Sequence, residues 1–252
     1  MTIGTRHRLE RVGAIAFALL VWQACAMLLG ENLLLVTPGA VLVRLPALCR
    51  ESGFLSAVGF SVLRIFSGYL LALFAGTLLA AVAARLRLAE VLLWPFMAAI
   101  KAVPVASFII LCLVWLNARN LSVFIAFLMV LPIVYTNLLQ GIRSTDGKLL
   151  QMAALFHVSW PRRLVFIRLP HLRPYLFSAC SVSIGLAWKA GIAAEIIGIP
   201  AGSIGEKLYE AKVYLNSVDL FAWTAVIVVI SVLFEKLFLL LLRRLYGTLG
   251  EA

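Results

Sequence analysis

The feature that most limits what this chain can fold into is a series of apolar blocks, each long enough to cross a lipid bilayer. A hydrocarbon core of about 30 Å takes about 20 helical residues. Blocks of that length stand at residues 12–30, 56–84, 90–116, 121–142, 174–197 and 220–242. No water reaches backbone N–H and C=O groups at that depth, so each block is predicted as a helix, whose bonds are satisfied internally. Charged residues are 13% of the chain and hydrophobic residues 63%, against roughly a quarter charged in a soluble domain. A water-soluble fold is excluded. The predicted fold class is an all-α membrane protein with six transmembrane helices in a single domain over residues 1–252. The first block has a basic flank but no small-residue cleavage site, and reads as a retained helix.

The formal net charge is +11, a value that in a soluble protein would suggest nucleic acid. Here the basic residues sit between the apolar blocks, as in short cytoplasmic loops, and nucleic acid is not an expected partner. With the N-terminus inside, the inner segments hold 13 Lys/Arg, among them Arg85, Arg143, Arg162, Arg168 and Arg173. The outer segments hold 5: Arg44, Arg50, Arg119, Lys207 and Lys212. That asymmetry predicts a multi-pass protein of the plasma membrane with both termini cytoplasmic. Cys25, Cys49, Cys112 and Cys180 are scattered without CxxC spacing, and read as packing residues with no metal role.

Two stretches between blocks have a character of their own. Residues 31–55 hold the turn Val36-Thr37-Pro38-Gly39, then apolar residues at helical spacing from Ala40 to Cys49. This predicts a short helix on the outer face, too short to span. Residues 143–173 are long for a connection between helices, basic, and still apolar at helical spacing. Such a loop is either a docking surface or a helix held on the membrane by anionic lipid. Phe156 and Trp160 are four apart, which predicts a shared helix face with Leu155 and Leu164 flanking and Arg162 and Arg163 at the rim.

Within that loop, Gln151-Met152-Ala153-Ala154-Leu155-Phe156-His157 is followed, ten residues after His157, by Ile167-Arg168-Leu169-Pro170. This resembles the cytoplasmic signature of bacterial ABC importer permeases: Glu-Ala-Ala, three residues, Gly, nine residues, Ile-x-Leu-Pro. Ala153, Ile167, Leu169 and Pro170 match, and Ser159-Trp160 is similar to the usual continuation after the glycine. Gln151, Met152 and His157 depart from it. A glycine at the position of His157 would let two short helices turn sharply; a histidine must either adopt the left-handed conformation or be accommodated by a different turn.

Further pieces resemble the nitrate/sulfonate/taurine branch of these permeases. They are Thr37-Pro38-Gly39-Ala40-Val41-Leu42, Arg64-Ile65-Phe66-Ser67-Gly68-Tyr69, Ala102-Val103-Pro104, Leu131-Pro132 with Asn137, and Gly185-Leu186-Ala187-Trp188 with Glu195. Their order covers the chain from about Val36 to Arg244. The resemblance implies a type I importer permease with a cytoplasmic coupling helix between the fourth and fifth spans, in a bacterial inner membrane. It implies three partners: a cytoplasmic ATPase subunit, an extracytoplasmic solute-binding protein and a second permease copy, the simplest arrangement being a homodimer. The coupling residues it carries over are Gln151, Ala153, Ala154, Phe156, His157, Ser159, Trp160, Arg162, Arg163, Ile167, Leu169 and Pro170.

Charges at membrane depth are costly and mark candidate pathways. Lys101 precedes Pro104, where the third span is predicted to kink and free backbone groups. Lys189 and Glu195 share the fifth span but point apart, because six residues are about 600° of rotation. Lys101, Pro104, Trp188, Lys189 and Glu195 are the pathway candidates, the lysines suiting an anionic solute; the other reading is that the lysines snorkel or pair with Glu195. Small residues Gly68, Ala72, Ala75, Gly76 and Ala80 predict close helix packing, within one chain or between two. No Gly-x-x-x-x-Gly-Lys-Ser/Thr loop is present, so no cofactor is expected in this chain, and ATP and Mg fall to the ATPase. No covalent chemistry is expected. The competing reading is an ATP-independent secondary transporter or channel, which inverted repeats would favour; none is evident.

Overall fold

The computed structural model describes residues 3–30 and 35–250. Glu31 and Asn32, which follow the first apolar block, lie outside the described residues. Among the described residues the chain is helical throughout, with no strand. The helices are α1 (Ile3–Leu29), α2 (Pro38–Arg50), α3 (Phe54–Arg85), α4 (Arg87–Ala102), α5 (Val105–Leu113), α6 (Ala118–Arg143), α7 (Gly147–Leu155), α8 (Trp160–Arg163), α9 (Leu169–Gly198), α10 (Ile204–Val213) and α11 (Ser217–Gly250).

The centre of the bundle is α6, packed between α3 and α9. Sequence explains the closeness. The inward face of α3 carries Ala57, Ser61, Ile65, Gly68, Ala72, Gly76 and Ala80, all buried and three or four apart. A Cβ on Gly68 would lie 2.3 Å from the Val123 carbonyl oxygen, and one on Gly76 2.9 Å from Val134. The small-residue stripe therefore packs within one chain. The opposite face of α3 presents Leu63, Leu71, Phe74 and Leu78 outward, and α11 presents Val228, Val229, Leu233 and Leu237. Large apolar side chains facing out along whole helices mark surfaces made for lipid or another subunit.

Among the described residues four helices are long and apolar enough to cross a membrane: Phe54–Arg85, Ala118–Arg143, Trp160–Gly198 and Ser217–Tyr246. A straight third span over 90–116 does not form. Its place is taken by α4 and α5, bent by 103°. Proline has no N–H and disfavours helix at the residue before it, so Val103 and Pro104 are extended (ψ 130 for both) and the chain turns there. Counted as one span, the bent pair brings the total to five. The apolar part of α1, Gly13–Leu29, is shorter; Trp22 fixes it to Phe221 of α11, ring centroids 5.8 Å apart.

The loop 143–173 is mostly helix, and the fifth span begins well before 174, in a helix running from Trp160 to Gly198. Between α8 and α9 the chain makes one π turn, Leu164–Arg168, where the Leu169 N–H bonds the Leu164 carbonyl. Pro170 and Pro174 follow at once. Each removes an i→i−4 donor, and the wider turn relieves the crowding that the Pro170 ring would cause against the Phe166 carbonyl.

Polar side chains tie the two ends of the bundle. At one, Arg143 on α6 holds Glu90 on α4 through two hydrogen bonds, the longer 2.6 Å. At the other, Arg44 on α2 bonds Asp219 at the start of α11 (3.1 Å from Nη2 to Oδ2) and Glu51 (2.6 Å). Arg64 donates to the Arg119 carbonyl and to Asn120 Oδ1. It is thus a tie between α3 and the start of α6.

Candidate functional site

The segment joining α6 to α9 is built as two short helices around one tight turn. Asp146 caps α7, its side chain accepting from the Lys148 N–H at 2.8 Å. At the far end the His157 N–H bonds the Ala154 carbonyl and the Val158 N–H bonds the Ala153 carbonyl, both at 3.0 Å. His157 itself is left-handed (φ 49). These paired bonds with a left-handed residue between helix and exit form a Schellman motif, which glycine ordinarily serves. His157 thus takes the left-handed option directly. Ser159 then opens α8, with Pro161 in its first turn, where a missing N–H costs nothing.

This turn separates residues that spacing alone would group. Because the helix breaks between Leu155 and Trp160, Phe156 and Trp160 do not share a face. Phe156, 75% exposed, borders an open shelf of about 710 Å³ with Met152, His157, Ser159, Arg162 and Ile167. Trp160 lines a different cleft, between α3, α6 and the start of the long helix. Arg163 is not a free rim charge either: its Nε donates to the Val158 carbonyl at 2.7 Å and braces the turn. Of the remaining candidates, Gln151 and Ala154 are exposed, Ala153 is buried, Ile167 and Leu169 are half-buried and Pro170 is exposed. The result is an exposed apolar knuckle, Leu155 and Phe156 at its tip, joined by short turns to α6 on one side and to the long helix on the other.

The intramembrane candidates divide into two sets. Lys101 and Pro104 stand at the elbow of the bent pair, and Lys189 on α9; all three are exposed on the single chain. Trp188 and Glu195 are interior (2% and 0% exposed) and line no open path within one chain. Trp188 meets Phe234 edge-on at 6.1 Å. Glu195 pairs with neither lysine. Ser61 Oγ donates to Glu195 Oε2 at 2.6 Å and accepts from the Ile204 N–H at 3.0 Å. The Gly205 N–H reaches the same Oε2 at 3.4 Å. Gly205 has to be glycine here, since a Cβ would stand 2.3 Å from Glu195 Cβ. This node clamps the N-terminus of α10 onto α9 and α3.

Both Ser61 and α10 escape a reading based on apolar blocks. A signal was present: Ser203-Ile204-Gly205-Glu206 is a capping-box pattern. In the structure Ser203 Oγ accepts from the Glu206 N–H at 3.0 Å. The Glu206 carboxylate reaches back to the Gly202 N–H at 2.6 Å. Nearby on the same helix, Glu210 bonds Lys207 at 2.7 Å and raises its ammonium pKa above the ordinary lysine value.

A multi-pass helical protein with outward apolar faces, a broken span and a rigid knuckle between two spans belongs to the class of membrane transport subunits. The comparisons make that specific. Residues 68–247 match the binding-protein-dependent transport system inner membrane component family, and the chain belongs to it. It is similar to the taurine transport system permease protein TauC of Escherichia coli (strain K12), 28% identical over 95% of this chain and 90% of that one. SsuC of Bacillus subtilis (strain 168), provisionally named an aliphatic sulfonates transport permease protein, is 25% identical over 91% of this chain and 84% of its own. The nitrate import permease protein NrtB of Synechococcus elongatus is 26% identical, covering 81% and 76%. The chain is therefore an ABC importer permease of the nitrate/sulfonate/taurine branch, a transport subunit and not an enzyme.

Proposed function

We propose that this chain forms, with a second copy of itself, the solute path of an ATP-driven importer in a bacterial inner membrane. Six crossings are assigned: α1, α3, the α4–α5 pair, α6, the long helix ending at Gly198, and α11. Both ends of the chain lie in the cytoplasm, on the side that gathers Arg85, Arg143 and Arg162. A separate ATPase subunit holds ATP and Mg, and an extracytoplasmic binding protein delivers the solute. The printed names of the relatives, for sulfonates, taurine and nitrate, together with Lys101 and Lys189 on the exposed surface, support a small anionic solute. In the dimer Lys101, Pro104 and Lys189 face the path between copies, while Trp188 and Glu195 hold the wall behind it.

One observation carries this reading. The Leu155–Phe156 knuckle is exposed, apolar and held by the Schellman turn, and only short turns separate it from α6 and from the long helix. An aromatic presented on a rigid stalk suits a groove in a soluble partner. Movement of that partner on nucleotide binding then passes to α6 and α9 as rigid levers. Truncating a buried aromatic anchor commonly costs about 2 kcal/mol, roughly a thirtyfold loss of affinity. Leu155→Ala with Phe156→Ala should release the ATPase from affinity-purified complex and abolish uptake, while the chain stays inserted. Phe156→Cys should cross-link to the ATPase subunit in isolated membranes. Wild-type association and uptake in the double variant would overturn the assignment.

A further inference from the structure

The cleft lined by Trp160 is separate from the shelf that Phe156 borders. It measures about 620 Å³ and lies between the last turns of α3 and α6 and the first turns of the long helix. Its apolar wall includes Leu138, Ile142 and Leu164, with the Trp160 indole at one side. Arg85 and Arg168 are the charged side chains that line it, and no carboxylate does. Of the acids nearby at this end, Glu90 is engaged by Arg143 and Asp146 accepts from the Lys148 N–H as the cap of α7. Leu164 and Arg168 are the first and last residues of the π turn, a backbone irregularity that recurs at binding sites.

An apolar well that also holds two guanidinium groups, uncompensated by acids and opening at the end of a membrane bundle, has a particular complement. We propose that this cleft binds an anionic phospholipid of the inner leaflet, with an acyl chain against Leu138, Ile142, Leu164 and Trp160 and the phosphate between Arg85 and Arg168. The leaflet follows from the reading that this end is cytoplasmic; that leaflet carries the anionic lipid, which attracts arginine close to the surface. A lipid seated there wedges the start of the long helix against α3 and α6. It thereby sets the angle at which the knuckle is presented, so that membrane composition tunes coupling.

The test uses the full-length chain purified in detergent and titrated with phosphatidylglycerol, with phosphatidylcholine of the same acyl chains, and with inorganic phosphate, occupancy being read by native mass spectrometry. Two arginines near the phosphate should favour phosphatidylglycerol over phosphatidylcholine about thirtyfold, with inorganic phosphate unbound for want of a chain. Arg85→Gln with Arg168→Gln should erase the preference. Arg50→Gln with Lys212→Gln, at the other end of the bundle, should keep it. Brominated phosphatidylglycerol should quench tryptophan fluorescence in the wild type, and that quenched component should vanish in Trp160→Phe. Equal retention of the two lipids by the wild type, an undiminished preference in the double arginine variant, or quenching untouched by Trp160→Phe would each overturn the proposal. No ATPase or solute is present, so failure here leaves the coupling assignment standing, and failure of the knuckle variants leaves the lipid result standing.

Discussion

At the residue scale, Glu195 is the clearest case of a membrane-depth charge with a structural post. Its carboxylate organises a Ser61 hydroxyl and the first N–H groups of α10, all out of contact with solvent. Leaving a buried donor unpaired costs about 1–3 kcal/mol. Glu195→Ala should therefore loosen α10 from the bundle, seen as faster amide hydrogen exchange over Ile204–Val213. Glu195→Gln keeps an acceptor for Ser61 and should exchange like the wild type. Equal protection in all three proteins would show that the node does not hold the helix. Spacing along α9 separates Lys189 from Glu195 in angle, but not which of them turns inward. That choice depends on Ser61, which lies 134 positions away in sequence.

At the element scale, the turn at His157 decides what the loop between α6 and α9 can do. A non-glycine residue in the left-handed region carries about 1 kcal/mol of strain. His157→Gly should keep ATPase association and raise thermal stability, or leave it unchanged. His157→Val, β-branched at a positive φ, should lower the midpoint of a detergent thermal melt and weaken association. A valine variant equal to wild type in both measurements would mean that the turn is not needed.

The same turn marks the limit of what was legible. Apolar block length places the long helices well, because a helix that crosses a bilayer has to declare itself in composition. The kink at Pro104 was equally legible, since proline acts locally. The turn at His157 was legible only through the resemblance, because a histidine stands where glycine is the usual sign, and a period of four across it suggested one face for Phe156 and Trp160. The early start of the long helix was masked by Arg162, Arg163, Arg168 and Arg173, which read as loop although a helix carries them. Helix α10 needed its capping box, a signal of two polar residues within a stretch read only for charge.

At the scale of the whole molecule, both ends of the bundle carry their own ion pairs, and orientation fixes which meets the ATPase. Ser203 is buried beneath α10 and unsuited to labelling, whereas Tyr214 is 80% exposed. In a variant without the exposed Cys25 and Cys49, Tyr214→Cys should react with an impermeant thiol reagent in intact cells. Lys148→Cys should react only after the membrane is opened. The reverse pattern would place the knuckle outside and end the coupling assignment.

The most direct measurement is ATP hydrolysis by what accompanies this chain out of the membrane. Tagged wild-type chain, extracted in mild detergent and affinity-purified, should carry an ATP-hydrolysing subunit in one-to-one ratio, each complex holding two copies of each. The Leu155→Ala, Phe156→Ala variant, recovered in equal amount from the membrane, should carry neither the subunit nor the activity. A wild-type chain that supports solute uptake while eluting free of any ATP-hydrolysing partner would contradict an ATP-driven importer.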